Sequence, residues 1–221
     1  MTARAHLESL LRAKKLDVTL TIASTAPWQP DPKNPESHAE IPGLDALGGG
    51  VRRGHLSEIV GGRSSGRTGL MCRALGAAIA RGELAALVDT HDRFDPASAA
   101  AIGVDLSRLL WIRETGDVGR SLKAMNLVLQ AGGFGLVVWD LADAPPIAAR
   151  SLPFTTWFRL ARVIEGSQTA ALVIASEHLA RSSGGATIVM EPAAAARAVW
   201  TGERSNRARL LGGLDVRPRI R

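Results

Sequence analysis

Gly61-Gly62-Arg63-Ser64-Ser65-Gly66-Arg67-Thr68 lies between a short apolar stretch, His55 to Val60, and a helical stretch, Gly66 to Arg81. The spacing is that of the phosphate-binding loop G-x-x-x-x-G-K-[ST], with Arg67 where the lysine belongs. Strand, glycine loop and helix form the context the motif requires, because backbone N–H groups and a helix N-terminus together hold a phosphate. Gly61 through Thr68, with Gly69, are therefore read as a nucleotide-binding loop, vestigial or weak. Thr68 occupies the position whose hydroxyl binds Mg2+. Asp140 ends the apolar stretch Leu136 to Asp140, where a second carboxylate orients the metal and its water if a magnesium nucleotide binds. The bland alternative for Asp140 is a loop or capping residue. Arg67 keeps the positive charge but exchanges a compact ammonium for a wide planar fork, which does not suit the in-line geometry of hydrolysis. Gly69, inside the helix, costs ~1 kcal/mol relative to alanine.

Working outward, apolar stretches alternate with helical ones, the pattern of a parallel α/β sheet. Leu84 to Asp89 is near-continuously apolar, as a strand buried on both faces is. Pro96 to Ile102 reads as helix, Leu109 to Arg113 as strand, and Asp117 to Ala131 as a helix capped by Asp117. Pro153 to Glu165 is helical and Ala170 to Ser176 is a buried strand. Ala186 to Glu191 and Ala208 to Leu214 are expected to extend the sheet as antiparallel edges. His91, after the second strand, reads either as a surface histidine or as a base.

Three segments follow from this division: a helix-strand arm at 1–24, a linker at 25–42 and a core at 43–221. The arm places Leu7, Leu10 and Leu11 on one helix face, then Val18, Leu20 and Ile22 on one side of a strand. It either folds onto its own core or docks on a neighbour. Five of the eleven prolines fall between Ser24 and Pro42, so no regular element is expected there.

The net charge is +6. Seven arginines, Arg197, Arg204, Arg207, Arg209, Arg217, Arg219 and Arg221, stand against Glu203 and Asp215 near the C-terminus. They form either a solvated basic edge or a surface for single-stranded DNA or an acidic partner. No apolar run reaches the ~20 residues that cross a bilayer, so no membrane association is expected. The lone cysteine, Cys72, reads as a small core residue, and its solitude fits a reducing cytoplasm.

Gly43-Leu44-Asp45-Ala46-Leu47, the Gly48–Gly50 run, Arg53-Gly54-His55-Leu56-Ser57-Glu58-Ile59, Ala86-Leu87-Val88-Asp89, Phe94-Asp95-Pro96 and Gly103 to Leu110 resemble the RecA core. The likeness runs from about Ile41 to Ser176 and implies a RecA-like fold. It also implies losses. The catalytic glutamate falls on His91, the adenine-stacking aromatic near Ser98, and the γ-phosphate-sensing glutamine on Glu177. The two DNA-binding loops, 141–152 and 180–185, are short. A short, degenerate RecA paralogue of this kind resembles the ImuA family, which is related to the SulA cell-division inhibitors. That resemblance implies a non-catalytic accessory role in the SOS response to DNA damage, supporting error-prone translesion synthesis. The implied partners are RecA, an ImuB-like polymerase subunit and an error-prone C-family polymerase. No residue is assigned a catalytic role, and neither ATP nor Mg2+ is expected as a required cofactor. A weak ATP-dependent recombination mediator and a SulA-like division inhibitor are the alternatives.

Overall fold

The computed structural model describes residues 38–42, 44, 49–180, 185–191, 197–201, 210–215 and 218–220. The strands are β1 (His38–Glu40), β2 (Gly50–Arg52), β3 (Leu56–Val60), β4 (Ala85–Asp89), β5 (Leu109–Arg113), β6 (Leu136–Asp140), β7 (Ala170–Ala175), β8 (Thr187–Met190), β9 (Arg197–Thr201), β10 (Leu210–Asp215) and β11 (Pro218–Ile220). The helices are α1 (Arg67–Ala80), α2 (Pro96–Ala101), α3 (Val118–Ala131), α4 (Pro146–Arg150) and α5 (Phe154–Ile164), with a 3-10 turn at Leu106–Arg108.

Seven strands form the central sheet in the order β11-β8-β3-β7-β6-β4-β5. Neighbours are parallel except β11 against β8. Side-chain alternation explains the continuous apolar strands. Leu87, Val138 and Leu172 face the cluster that holds Met71 and Leu75 of α1. Val88, Val137 and Val173 face the cluster that holds Met125 of α3 and Trp157 of α5. With helices on both faces, every residue of these strands meets apolar cover. Asp117 caps α3, accepting from the Arg120 N–H at 2.9 Å.

Two expectations fail at the edges. Thr187–Met190 runs parallel to β3, because the chain leaving β7 crosses over β3 and returns in the same direction; β11 supplies the antiparallel edge of the sheet. Leu210–Asp215 does not extend the sheet at all but pairs with β9 as a separate antiparallel hairpin. A third difference lies in the proline-rich stretch. His38–Glu40, a proline-free interval between Pro35 and Pro42, pairs antiparallel with Gly50–Arg52, and Ala39 and Ile41 are buried in the α1-side core. The end of the expected linker is thus part of the core. The arm residues Leu7, Leu10, Leu11, Val18, Leu20 and Ile22 lie outside the described residues. No helix among the described residues is long and apolar enough to cross a membrane.

Candidate functional site

The glycine loop emerges at the carboxyl end of β3, the edge where ligands bind in open α/β sheets. Along that edge β4 and β6 lie side by side with Asp89 opposite Asp140, and Asp140 is in turn opposite Ile174 of β7. Both carboxylates share the strand face of Leu87 and Val138, so they project to the α1 side. The loop needs its glycines. Gly66 sits at φ 87°, a conformation costly to any residue with a Cβ, and its carbonyl accepts the Leu70 N–H at 3.0 Å to start α1. At Gly61 a Cβ would lie 2.4 Å from Ser65 Oγ and 2.8 Å from Met190 Cβ. Gly61→Ala is expected to lower stability by about 1–3 kcal/mol through overpacking, read as a lower urea midpoint.

Arg67 does not face outward. It is 6% exposed. Its guanidinium donates to the Gly61 carbonyl and, at 3.0 Å, to the Ala142 carbonyl, and stands 3.6 Å from Asp143 Oδ1. The cation expected to meet phosphates is thus bound to the loop's first residue and to the turn after β6. Ser65 is fully buried and its hydroxyl has no hydrogen-bond partner among the described residues. Thr68, Gly69, Gly62, Arg63 and Ser64 are exposed. The fit to a magnesium nucleotide is therefore partial: the glycine cradle, Thr68 and Asp140 are in place, but the mouth holds a guanidinium already committed to protein oxygens.

Asp140 accepts the Ala142 N–H at 2.8 Å, fixing the turn that carries Asp143. Burial, above all, pushes its carboxyl up to about 6; Asp89 and Asp143 add to the rise, while the Ala142 N–H and Arg67 oppose it. The sign follows. The folded protein holds this proton to about pH 6, whereas the unfolded chain releases it near 3.8. The stabilising contribution is complete below the unfolded value and is lost as pH rises through 6. Asp140→Asn is expected to flatten stability across that window and to raise Tm above pH 7 by ~2–4 °C, measured by calorimetry from pH 4 to 8. Nearby, burial raises the Cys72 thiol to about 11, with the Asp140 charge a smaller cause, so it stays protonated.

Asp89 is committed to structure. Its two oxygens accept from the backbone N–H of His91, Arg93 and Phe94, at 3.3, 3.0 and 2.8 Å, and from Trp111 Nε1 at 3.3 Å. His91 lines a narrow cleft with Asp89, Arg93, Asp140 and Asp143. Its Nδ1 is buried without a partner among the described residues, and its ring edge packs on Gly116. Ser98 donates to the cap Asp95 of α2 and is exposed. Glu177 is tied to Arg150, whose Nε lies 2.7 Å from it; that hydrogen bond is the main cause holding the Glu177 carboxyl below its usual range. Of the C-terminal arginines, Arg219 is described: it is exposed and pairs with Glu191 at 2.7 Å. The side chains of Arg197, Arg204, Arg207, Arg209, Arg217 and Arg221 lie outside the described residues.

Sequence reasoning missed Asp143, whose role depends on Arg67 in a loop far away along the chain, and it missed Glu58. Glu58 is 1% exposed in β3. It accepts from His178 Nδ1, the Leu179 and Ala180 N–H groups at 3.1 and 2.8 Å, and Thr187 Oγ1 at 2.8 Å. Its signal was a lone carboxylate in the strand Leu56-Ser57-Glu58-Ile59-Val60, every residue of which but Val60 is buried. A groove of about 870 Å³ lies at the opposite, amino edge of the sheet, lined by Arg53, Arg81, Glu83, Phe134 and Gln168 among others. Its size does not make it the nucleotide site, since both arginines are neutralised by Glu83 and the glycine loop is at the far edge.

Residues 41–149 match the family model described as the RecA N-terminal domain. The chain is similar to Protein RecA of Borrelia hermsii, 36% identical over 101 residues, 45% of this chain and 28% of that protein. It is likewise similar to Protein RecA of Chlorobaculum tepidum, 39% identical over 101 residues, 45% and 29% of the two chains. These alignments span less than a third of the relatives' length. Together with the sheet, they make the core RecA-like in fold.

Proposed function

We propose that this RecA-like chain is a non-catalytic accessory protein of the DNA-damage response. It supports error-prone translesion synthesis through contacts with RecA, an ImuB-like polymerase subunit and a C-family polymerase. The observation that carries this reading is Arg67, buried and bound to Gly61, Ala142 and Asp143 within its own loop. A cation so engaged is not free to stabilise charge on a transferring phosphoryl group, which is where catalysis in such loops comes from. Two further positions support it. His91 stands where a catalytic carboxylate is implied, and Glu177, where a phosphate-sensing amide is implied, is held by Arg150.

The purified chain is expected to show no ATP turnover above background, with or without single-stranded DNA. DNA-stimulated hydrolysis that Thr68→Ala abolishes would overturn the reading. The partner half is tested separately, by co-purification with RecA and the polymerase subunits. Serine at Leu7, Leu10 and Leu11 is expected to weaken that capture if the arm carries the contact. Retention by DNA alone, lost steeply as salt rises, would favour a mediator of recombination instead.

A further inference from the structure

The helix α5 has two apolar faces where packing requires one. Trp157, Leu160 and Ile164 are buried against the sheet and α3, which suffices to dock an eleven-residue helix. On the outer side Phe154 and Phe158, one turn apart, remain 51% and 45% exposed. Their rings meet edge to face with centroids 4.7 Å apart, forming a single knob. Half of the chain's four phenylalanines are spent on this patch, and buried aromatic anchors dominate protein contacts. The rest of the outer face is cationic. Arg159 and Arg162 are exposed and have no carboxylate partner among the described residues, whereas nearby Arg150 is neutralised by Glu177. The helix carries no acidic residue before its cap, Glu165.

We infer that the outer face of α5, centred on Phe158, is a docking surface for an acidic segment of a partner protein that carries apolar anchors. Charge selects this occupant. The N-terminal segment of this chain carries Arg4, Arg12, Lys14 and Lys15 against Glu8 over its first fifteen residues, so it would meet the arginines with like charge. A second copy's α5 would bring the same two arginines against themselves. An acidic segment pairs with Arg159 and Arg162 while its apolar side covers the phenyl knob. Nucleic acid would meet the two arginines through its phosphates and is kept as an outcome of the test. The inference deepens the accessory role proposed above and rests on it.

The test is photo-crosslinking. The full chain carrying p-benzoylphenylalanine at position 158 is produced in its own cells under DNA damage, and crosslinked peptides are identified by mass spectrometry. Crosslinks are expected in one protein, on a segment of net negative charge, reduced at least fivefold by Arg159→Glu with Arg162→Glu. Crosslinks to residues 1–24, to a second copy's α5, or to DNA would overturn the inference. So would crosslinks that charge reversal leaves unchanged, or no crosslinks in chain whose Tm matches the parent. An acidic partner unconnected with DNA synthesis would keep the surface and remove the accessory role, so the two failures are distinguishable.

Discussion

Arg67→Lys is expected to tighten binding of magnesium ATP at least tenfold, about 1.4 kcal/mol. The guanidinium reaches Gly61, Ala142 and Asp143 together because its nitrogens fan out from a planar fork. An ammonium offers its three donors from a single point, so it does not reproduce the separate contacts that the two ends of the fork make. With the fork withdrawn, the backbone N–H groups of the loop and the exposed Thr68 hydroxyl are left to a ligand. The same change leaves Asp143 without its nearest cation and two carbonyls without donors, so the ligand-free variant is expected to lose roughly 1–3 kcal/mol of stability. The opposite signs make the result specific, since a merely damaged loop would lose both stability and binding. Calorimetric titration with ATP and Mg2+ reads the affinity, and adding Thr68→Ala should cancel the gain. Unchanged binding in the lysine variant would contradict the arrangement of Arg67 as the obstacle. Turnover is not expected to return, because His91 stands where the resemblance to RecA implies a catalytic carboxylate.

Glu58→Ala is expected to lower stability by about 3–5 kcal/mol. The carboxylate satisfies several donors at once. Two backbone N–H groups, the Thr187 hydroxyl and the His178 ring converge on it inside a nearly water-free strand, and each donor stranded there costs ~1–3 kcal/mol. Glu58→Gln keeps the shape but turns an amide group toward donors, so an intermediate loss is expected. Chemical denaturation of the three proteins gives the order directly. If the alanine and glutamine variants unfold with the parent, Glu58 is not the anchor that ties the segment after β7 to β3.

How far the sequence could be read depended on how local each cause is. Strands β4, β6 and β7 were visible because a parallel sheet covered on both faces demands uninterrupted apolar residues, and Asp117 was visible because a cap acts within three residues. The loop at 61–68 declared itself for the same reason. The direction of Arg67 did not, because the Ala142 carbonyl and Asp143 that fix it come from another strand's end. Nor did the pairing of Glu58 with residues 120 and more positions away. The orientation of β8 was misjudged because strand direction follows from where the chain crosses the sheet, not from its own four residues. His38–Glu40 was hidden among prolines that bracket it without entering it.

The guanidinium inside the loop has a consequence for the protein's life in a cell. A working nucleotide site makes the folded state hostage to its ligand, since occupancy adds RT ln(1 + [L]/Kd) to stability and depletion takes it away. With Arg67 supplying the loop's cation from within the chain, that linkage is expected to fall away. Melting curves of the unaltered protein should superimpose with and without millimolar ATP. Starvation that drains the energy charge is then expected to leave this fold as it stands.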